Sequence, residues 1–394
     1  RLDAFGRIFN RILTHIKPME PPLQPPLNSP NAPVSYPFLW DTPQYDFVQW
    51  NGIGNNHGGN IAGAFGPLGR NVGEVLGVFA TFEVTSESKT IDRISADKRN
   101  LVRLESHLKK LTSPKWPEQF TEIDQAKAKR GKELYAKFKC EACHNTIDRD
   151  KQPESGFTSQ FSSVDLIGTD KQMASNAVNY TGDTGLIAGQ KNSLTGANFG
   201  EVAPVAHSLT KVVASAILAP DKTKPWFERT FTWIDSLVRS FFDNPVTKPT
   251  HRMVDFQEQP IQLYAYRGRS LNGIWATAPY LHNGSVPNLY ELFLPSCSNE
   301  EIASGKVSAE ECRSNIFTVG SREFDTTKVG FVGRDKQKHP GVFIFDTSIP
   351  GNHNTGHEYV AGKTPFIDNK GKVVDFGEPI TKDQRYELVE YLKT

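Results

Sequence analysis

Leu2, Phe5, Ile8, Phe9, Ile12, Leu13 and Ile16 recur three or four positions apart between polar residues, the period of a helix with one buried face. Eight prolines from Pro18 to Pro37 end that helix and predict an extended segment. Tyr36, Phe38, Trp40, Tyr45, Phe47 and Trp50 then follow closely, and Asn51 to Gly77 is a glycine- and asparagine-rich stretch too irregular for long elements. Such aromatics serve either as plain core or as the wall of a flat ligand. Helical spacing returns from Asp97 to Leu111, and again from Glu122 to Lys139 through Ile123, Ala126, Leu134, Tyr135 and Phe138. Thr112-Ser113-Pro114-Lys115-Trp116-Pro117 separates the two and places a domain border near residue 120, dividing residues 1–120 from 121–394. Asp165 to Gly200 reads as loop, Val202 to Leu218 and Trp226 to Phe242 as helices, and Phe317 to Phe345 as short strands or extended loops. A last amphipathic helix, Asp383 to Lys393, carries Tyr386, Val389, Tyr391 and Leu392. The predicted fold is mainly α, with long irregular loops and a few short strands.

Composition narrows the function more than the fold. Apolar residues make up 37% of 394, ordinary for a globular chain, and Lys+Arg 45 against Asp+Glu 44 leaves a net charge of +1. No global field argues for nucleic acid or an acidic membrane surface. The longest apolar run, Val212 to Ala219 with Ser215 inside it, is too short to span a bilayer.

Cys140-Glu141-Ala142-Cys143-His144 names a chemistry. Two cysteines three positions apart can form thioethers to the two vinyl groups of a haem, while the next histidine ligates its iron. A zinc site would need a second close ligand pair, but Cys297 and Cys312 stand fifteen positions apart. A thioredoxin-like pair would be expected at the end of a strand, whereas the residues before Cys140 read as helix. Haem c, one per chain, is therefore the expected cofactor. Covalent haem attachment and the second cysteine pair suggest an oxidising compartment, periplasmic or secreted. A Cys297–Cys312 bridge would close a loop worth on the order of 3 kcal/mol by the chain-entropy model; two unpaired cysteines are the alternative.

The segment from Arg267-Gly268-Arg269-Ser270 through Thr277-Ala278-Pro279-Tyr280-Leu281-His282-Asn283-Gly284 to Leu292, combined with the haem motif, resembles the signature of the bacterial di-haem cytochrome c peroxidase superfamily. Arg70 to Val78 and Gly351 to Tyr359 look more like its rubber-oxygenase branch. The resemblance implies c-type cytochrome domains with terminal helices crossed beside the haem. It also implies an N-terminal haem where peroxide or dioxygen reacts and a C-terminal haem that relays electrons. With a single CxxCH present, residues 121–394 correspond to the C-terminal domain, and residues 1–120 to the remainder of an N-terminal one; the chain is expected to be a fragment whose full-length form holds a second haem c. Any export signal would lie upstream of Arg1.

The relay haem needs a sixth ligand. The peroxidases use a methionine downstream of the TAPYxHxG histidine, yet Met19, Met173 and Met253 all precede His282. Histidine is the next choice, as in the oxygenase branch, and His357 on its glycine-flanked loop is favoured over His282 and His353. The resemblance further suggests calcium on the carbonyls of Thr277 and Pro279, oxygen donors suited to a hard cation. Trp50 and Phe65 match the distal pocket of the missing haem, with Glu74 as a potential general base or a helix-start carboxylate.

The leading expectation is thus an extracytoplasmic haem oxidoreductase, peroxidase- or dioxygenase-like, whose haem at Cys140, Cys143 and His144 transfers electrons with a redox protein or small-molecule oxidant. The alternative is a mono-haem electron carrier with no substrate of its own, which the length of the chain disfavours.

Overall fold

In the computed structural model, described for all residues except 1, 20–22, 24, 57–65, 86–90, 150–155, 220–224, 243–252, 255–256, 259–263, 334–340, 361 and 369–371, the first helix begins where a carboxylate can cap it. Asp3 accepts from the amide of Gly6 at 2.7 Å and from that of Ala32 at 2.8 Å, starting α1 (Ala4–Ile16) and tying the proline-rich segment back to it. Ten further helices follow among the described residues: α2 (Gly66–Val78), α3 (Lys98–Leu108), α4 (Gln125–Lys137), α5 (Val164–Ile167), α6 (Gln172–Asn179), α7 (Val205–Leu218), α8 (Trp226–Phe242), α9 (Leu289–Leu292), α10 (Asn299–Ala303) and α11 (Lys382–Tyr391).

The expected mainly α character holds only in part. Strands, none longer than five residues among those described, pair into small open sheets between the helices. Gln160–Ser163 is the most central, antiparallel to Ala265–Gly268 and parallel to Met253–Val254. Val202–Pro204, read from sequence as the start of a helix, instead pairs with Thr181–Asp183, and α7 begins only at Val205.

Two large apolar clusters organise the described residues, beside a small third one of Phe47, Phe161 and Ala265. In the first, Phe5, Phe9, Ile12, Leu13 and Ile16 of α1 meet Leu68, Val72 and Leu76 of α2 and Val205, Val212, Ala216 and Ile217 of α7. Each such side chain contributes about 1.5–3 kcal/mol by leaving water. The residues from Val164 to Ala219 belong to this cluster although they follow the CxxCH turn in the chain. The irregular stretch expected before Gly77 contains α2, whose glycines are points of contact: a Cβ on Gly77 would lie 2.1 Å from Ile8 Cγ1, and one on Gly73 3.3 Å from Val213.

The second cluster surrounds the crossing of α4 and α11 and includes Tyr135, Phe138, Cys140, Leu289, Phe293, Leu388, Val389 and Leu392. At the crossing, a Cβ on Gly131 would fall 1.9 Å from the Glu387 carbonyl oxygen, so only glycine allows this approach. Tyr135 meets Tyr391 edge-on at 5.3 Å, and the Glu390 carboxylate accepts from the Asp124 amide at 2.7 Å. Cys297 and Cys312 form a disulfide with Cα atoms 5.7 Å apart. No helix among the described residues is long and apolar enough to cross a membrane.

Candidate haem-binding site

The CxxCH turn grows directly out of α4. Lys139 turns left-handed (φ 59°), Cys140–Ala142 makes a single 3-10 turn, and the His144 amide closes onto the Cys140 carbonyl at 2.9 Å. This presents Cys140 and His144 to a cavity of about 1270 Å³, counting its open mouth. The Cys143 Sγ lies 3.8 Å from Ser162 Oγ, and Gly268 presses on the back of the turn, where a Cβ would come within 2.3 Å of the Cys143 carbonyl oxygen. Neither cysteine is in a disulfide.

His144 is half-buried, and its Nδ1 stands 2.6 Å from the carbonyl oxygen of Arg269. A carbonyl only accepts, so Nδ1 carries the proton and Nε2 is left with its lone pair. Burial lowers the pKa of this imidazole. Across the cavity stands His357, its ring centroid 6.0 Å from that of His144 and the planes inclined at 69°. Two imidazoles that share one metal, each bonded at about 2 Å, have centres roughly 6 Å apart. Burial first, then His144 and Arg313, push the His357 pKa down to about 3, which keeps the ring neutral, and its buried Nδ1 has no hydrogen-bond partner.

The other candidates fall in different places. His282 lines the cavity but stacks on Tyr266 at 4.0 Å; burial lowers its pKa to about 4. His353 is off the cavity wall, 3.9 Å from the Asp170 carboxylate. Trp50, expected at a second haem, lines this cavity and donates its indole N–H to the Ser35 carbonyl at 2.9 Å. Thr277 and Pro279 also line it, with the Thr277 hydroxyl donating to the Ile274 carbonyl. Glu74 lies off the wall, half-buried on α2, where Gln49 donates to it at 2.6 Å; loss of hydration raises its pKa. Phe65 lies outside the described residues.

Sequence reasoning assigned no role to four further groups. Arg267 and Arg269 line the cavity although almost wholly buried. Arg267 donates to the Phe47 carbonyl, and Arg269 donates to Phe38 at 2.9 Å and Trp40 at 3.2 Å while stacking over the Phe38 ring at 3.6 Å. Burial lowers their pKa values to about 10 and about 9, leaving both cationic at neutral pH. Tyr135 donates to the His144 carbonyl at 3.1 Å, and Tyr359 lies 3.8 Å from Cys140 Sγ. The Arg-Gly-Arg spacing was a visible signal for the first pair, since alternate strand residues share one side. The two tyrosines carried none.

Residues 265–300, the strand behind Cys143 and the loop that continues along the cavity, match the family described as RoxA-like, cytochrome c-like. Over its whole length the chain is 28% identical to the uncharacterized protein y4iJ of Sinorhizobium fredii (strain NBRC 101917 / NGR234), of which it covers 59%. A stretch of 33% of the chain is 34% identical to 27% of the uncharacterized protein y4iM of the same organism. The chain therefore spans less than two thirds of the length of these curated relatives. The family match implies haem c. The residues present fit that group: Cys140 on the wall with Cys143 in the same turn, two imidazoles 6.0 Å apart, two buried cations suited to its two carboxylates, and apolar walls from Leu271, Leu289, Leu292 and Leu388.

Proposed function

We propose that the chain is the electron-transfer part of an extracytoplasmic c-type haem oxidoreductase of the di-haem peroxidase or oxygenase type. Cys140 and Cys143 would hold haem c covalently, and His144 and His357 would supply the nitrogen ligands of its iron. The observation that carries this reading is the 6.0 Å separation of two half-buried imidazoles on the wall of one cavity beside the CxxCH turn. When bound, the haem supplies a reversible one-electron couple. The chain's own residues set its conditions: the Arg269 carbonyl fixes the tautomer of His144, burial keeps His357 unprotonated, and the leucine walls exclude water. Arg267 and Arg269 balance the carboxylates.

In the finer reading, reaction with peroxide or dioxygen belongs to a second haem c of the whole protein, and electrons are exchanged with a redox protein or small-molecule oxidant. The Cys297–Cys312 disulfide supports placement in the periplasm or outside the cell. A calcium ion on the Thr277 and Pro279 carbonyls is part of the same proposal.

The test is the carbon monoxide difference spectrum of the dithionite-reduced, haem-loaded chain. The wild type is expected not to bind, and His357→Ala to bind stoichiometrically. Stoichiometric binding by the wild type would make this haem the reaction centre and overturn the relay assignment.

A further inference from the structure

Arg313 is 1% exposed, the largest fully buried side chain among those described. Its Nε donates to the carbonyl of Glu291 at 3.3 Å, Nη1 to Asn354 at 2.5 Å and Gly356 at 2.8 Å, and Nη2 to Leu292 at 2.7 Å and His357 at 3.2 Å. Each of these acceptors is a main-chain oxygen. Two belong to α9, beside the cavity, and three to the single loop that ends in His357. The planar guanidinium can bridge both groups at once, which the point charge of a lysine cannot.

That loop needs holding. His357 sits at φ 51°, in the left-handed region that non-glycine residues seldom adopt, and Gly356 at φ 79° is pressed so closely on Gly168 and Thr169 that a Cβ would lie 2.2 Å from their backbone. The His357 amide donates to the Ile167 carbonyl at 2.8 Å, which fixes only one side. Arg313 is itself anchored: its amide donates to the Pro295 carbonyl at 2.9 Å, and its neighbour Cys312 is bonded to Cys297.

We propose that Arg313 is the positioning residue that clamps the 354–357 loop and holds the His357 ring opposite His144. The proposal rests on His357 being the sixth ligand. The disulfide steadies the clamp, and the clamp steadies the ligand.

The experiment compares the haem-loaded full chain as wild type, Arg313→Lys, Arg313→Gln and His357→Ala. Spin state, carbon monoxide binding after reduction and amide hydrogen exchange are followed in each. The wild type is expected to be low spin and closed to carbon monoxide. Both Arg313 variants are expected to show a high-spin, carbon monoxide-binding fraction that added imidazole returns to low spin, with exchange at 354–357 about tenfold faster and α4 unchanged. A wild-type spectrum with wild-type exchange in both variants would overturn the clamp. So would faster exchange spread equally over α4 and the loop, the mark of a general structural role. If His357→Ala stays closed to carbon monoxide, the ligand assignment fails and the proposal with it, a result separable from failure of the clamp alone.

Discussion

Lys98 and Arg313 are both buried cations whose donors end on main-chain carbonyls, one in each large apolar cluster. Lys98 reaches the carbonyls of Ala216, Ile217 and Ala219, closing the C-terminal end of α7, where the helix already exposes unpaired oxygens and a partial negative charge. Arg313 spends the same kind of side chain on a loop with no helical periodicity of its own. The first region is therefore stabilised by regular helices with a cation added at one end. The second is irregular where it meets the cavity, and there polar anchors replace the helical backbone ladder. A site that must set two imidazoles at a fixed separation gains more from such anchors than from further apolar area.

The sharpest way to break this contrast is a single methyl at each helix crossing. Gly131→Ala puts a Cβ onto the backbone of α11, which cannot step aside, and is expected to cost about 3 kcal/mol despite alanine's better helix propensity. Gly77→Ala meets Cγ1, Cβ and Cα of Ile8, a β-branched residue with little rotamer freedom in α1, and is expected to cost about 2 kcal/mol because the two helices must part slightly. Urea denaturation of the two variants checks the order, and equal losses would erase the distinction.

Removing the disulfide by Cys297→Ala with Cys312→Ala is expected to cost slightly less than the Gly131 change, about 2–3 kcal/mol, confined to the second region. Hydrogen exchange that quickens around α9 while α1 and α2 stay unchanged is the expected readout.

A smaller effect comes from acid. His282 has its pKa lowered to about 4 by burial, against about 6.5 unfolded, so the unfolded state takes up the proton first as pH falls. Its neutral burial is without penalty above pH 6.5, and stability drops by about 1.5 kcal/mol between pH 6.5 and 5. His282→Gln should flatten the urea midpoint over that window. Smallest of all is calcium: chelation is expected to shift the unfolding midpoint by well under about 1 kcal/mol and leave the haem spectrum unchanged. A large spectral change would move that ion to the centre of the site.

What could be read from the residues follows the same division. The stripe of α1 and the spacings of α3, α4, α7 and α11 are helical in sequence because their buried faces repeat, whereas α8 repeats an apolar face of Trp226, Phe227, Phe231, Ile234 and Val238 that stays exposed. α2 was unreadable, since Gly66, Gly69, Gly73 and Gly77 depress its helix propensity; what makes it a helix is the close approach of α1 at Gly77 and of α7 at Gly73. Around the cavity, the CxxCH motif was legible because covalent chemistry fixes its spacing. Arg313 was invisible: an arginine next to a cysteine in a polar stretch reads as surface charge, and only the folded loop shows where its donors go. Trp50 shows the same limit, since only the fold places it on the wall of this cavity.

Gly268 against the back of Cys143 also sets an order of events in the making of the protein. In the finished fold Cys140 is buried and its thiol pushed up to about 12 by that burial, a poor nucleophile for forming a thioether. The strand that covers the turn lies more than a hundred residues later in the chain, so the cysteines leave the ribosome well before their cover does. Any attachment of haem at this turn would thus have a natural window, which shuts when Gly268 docks.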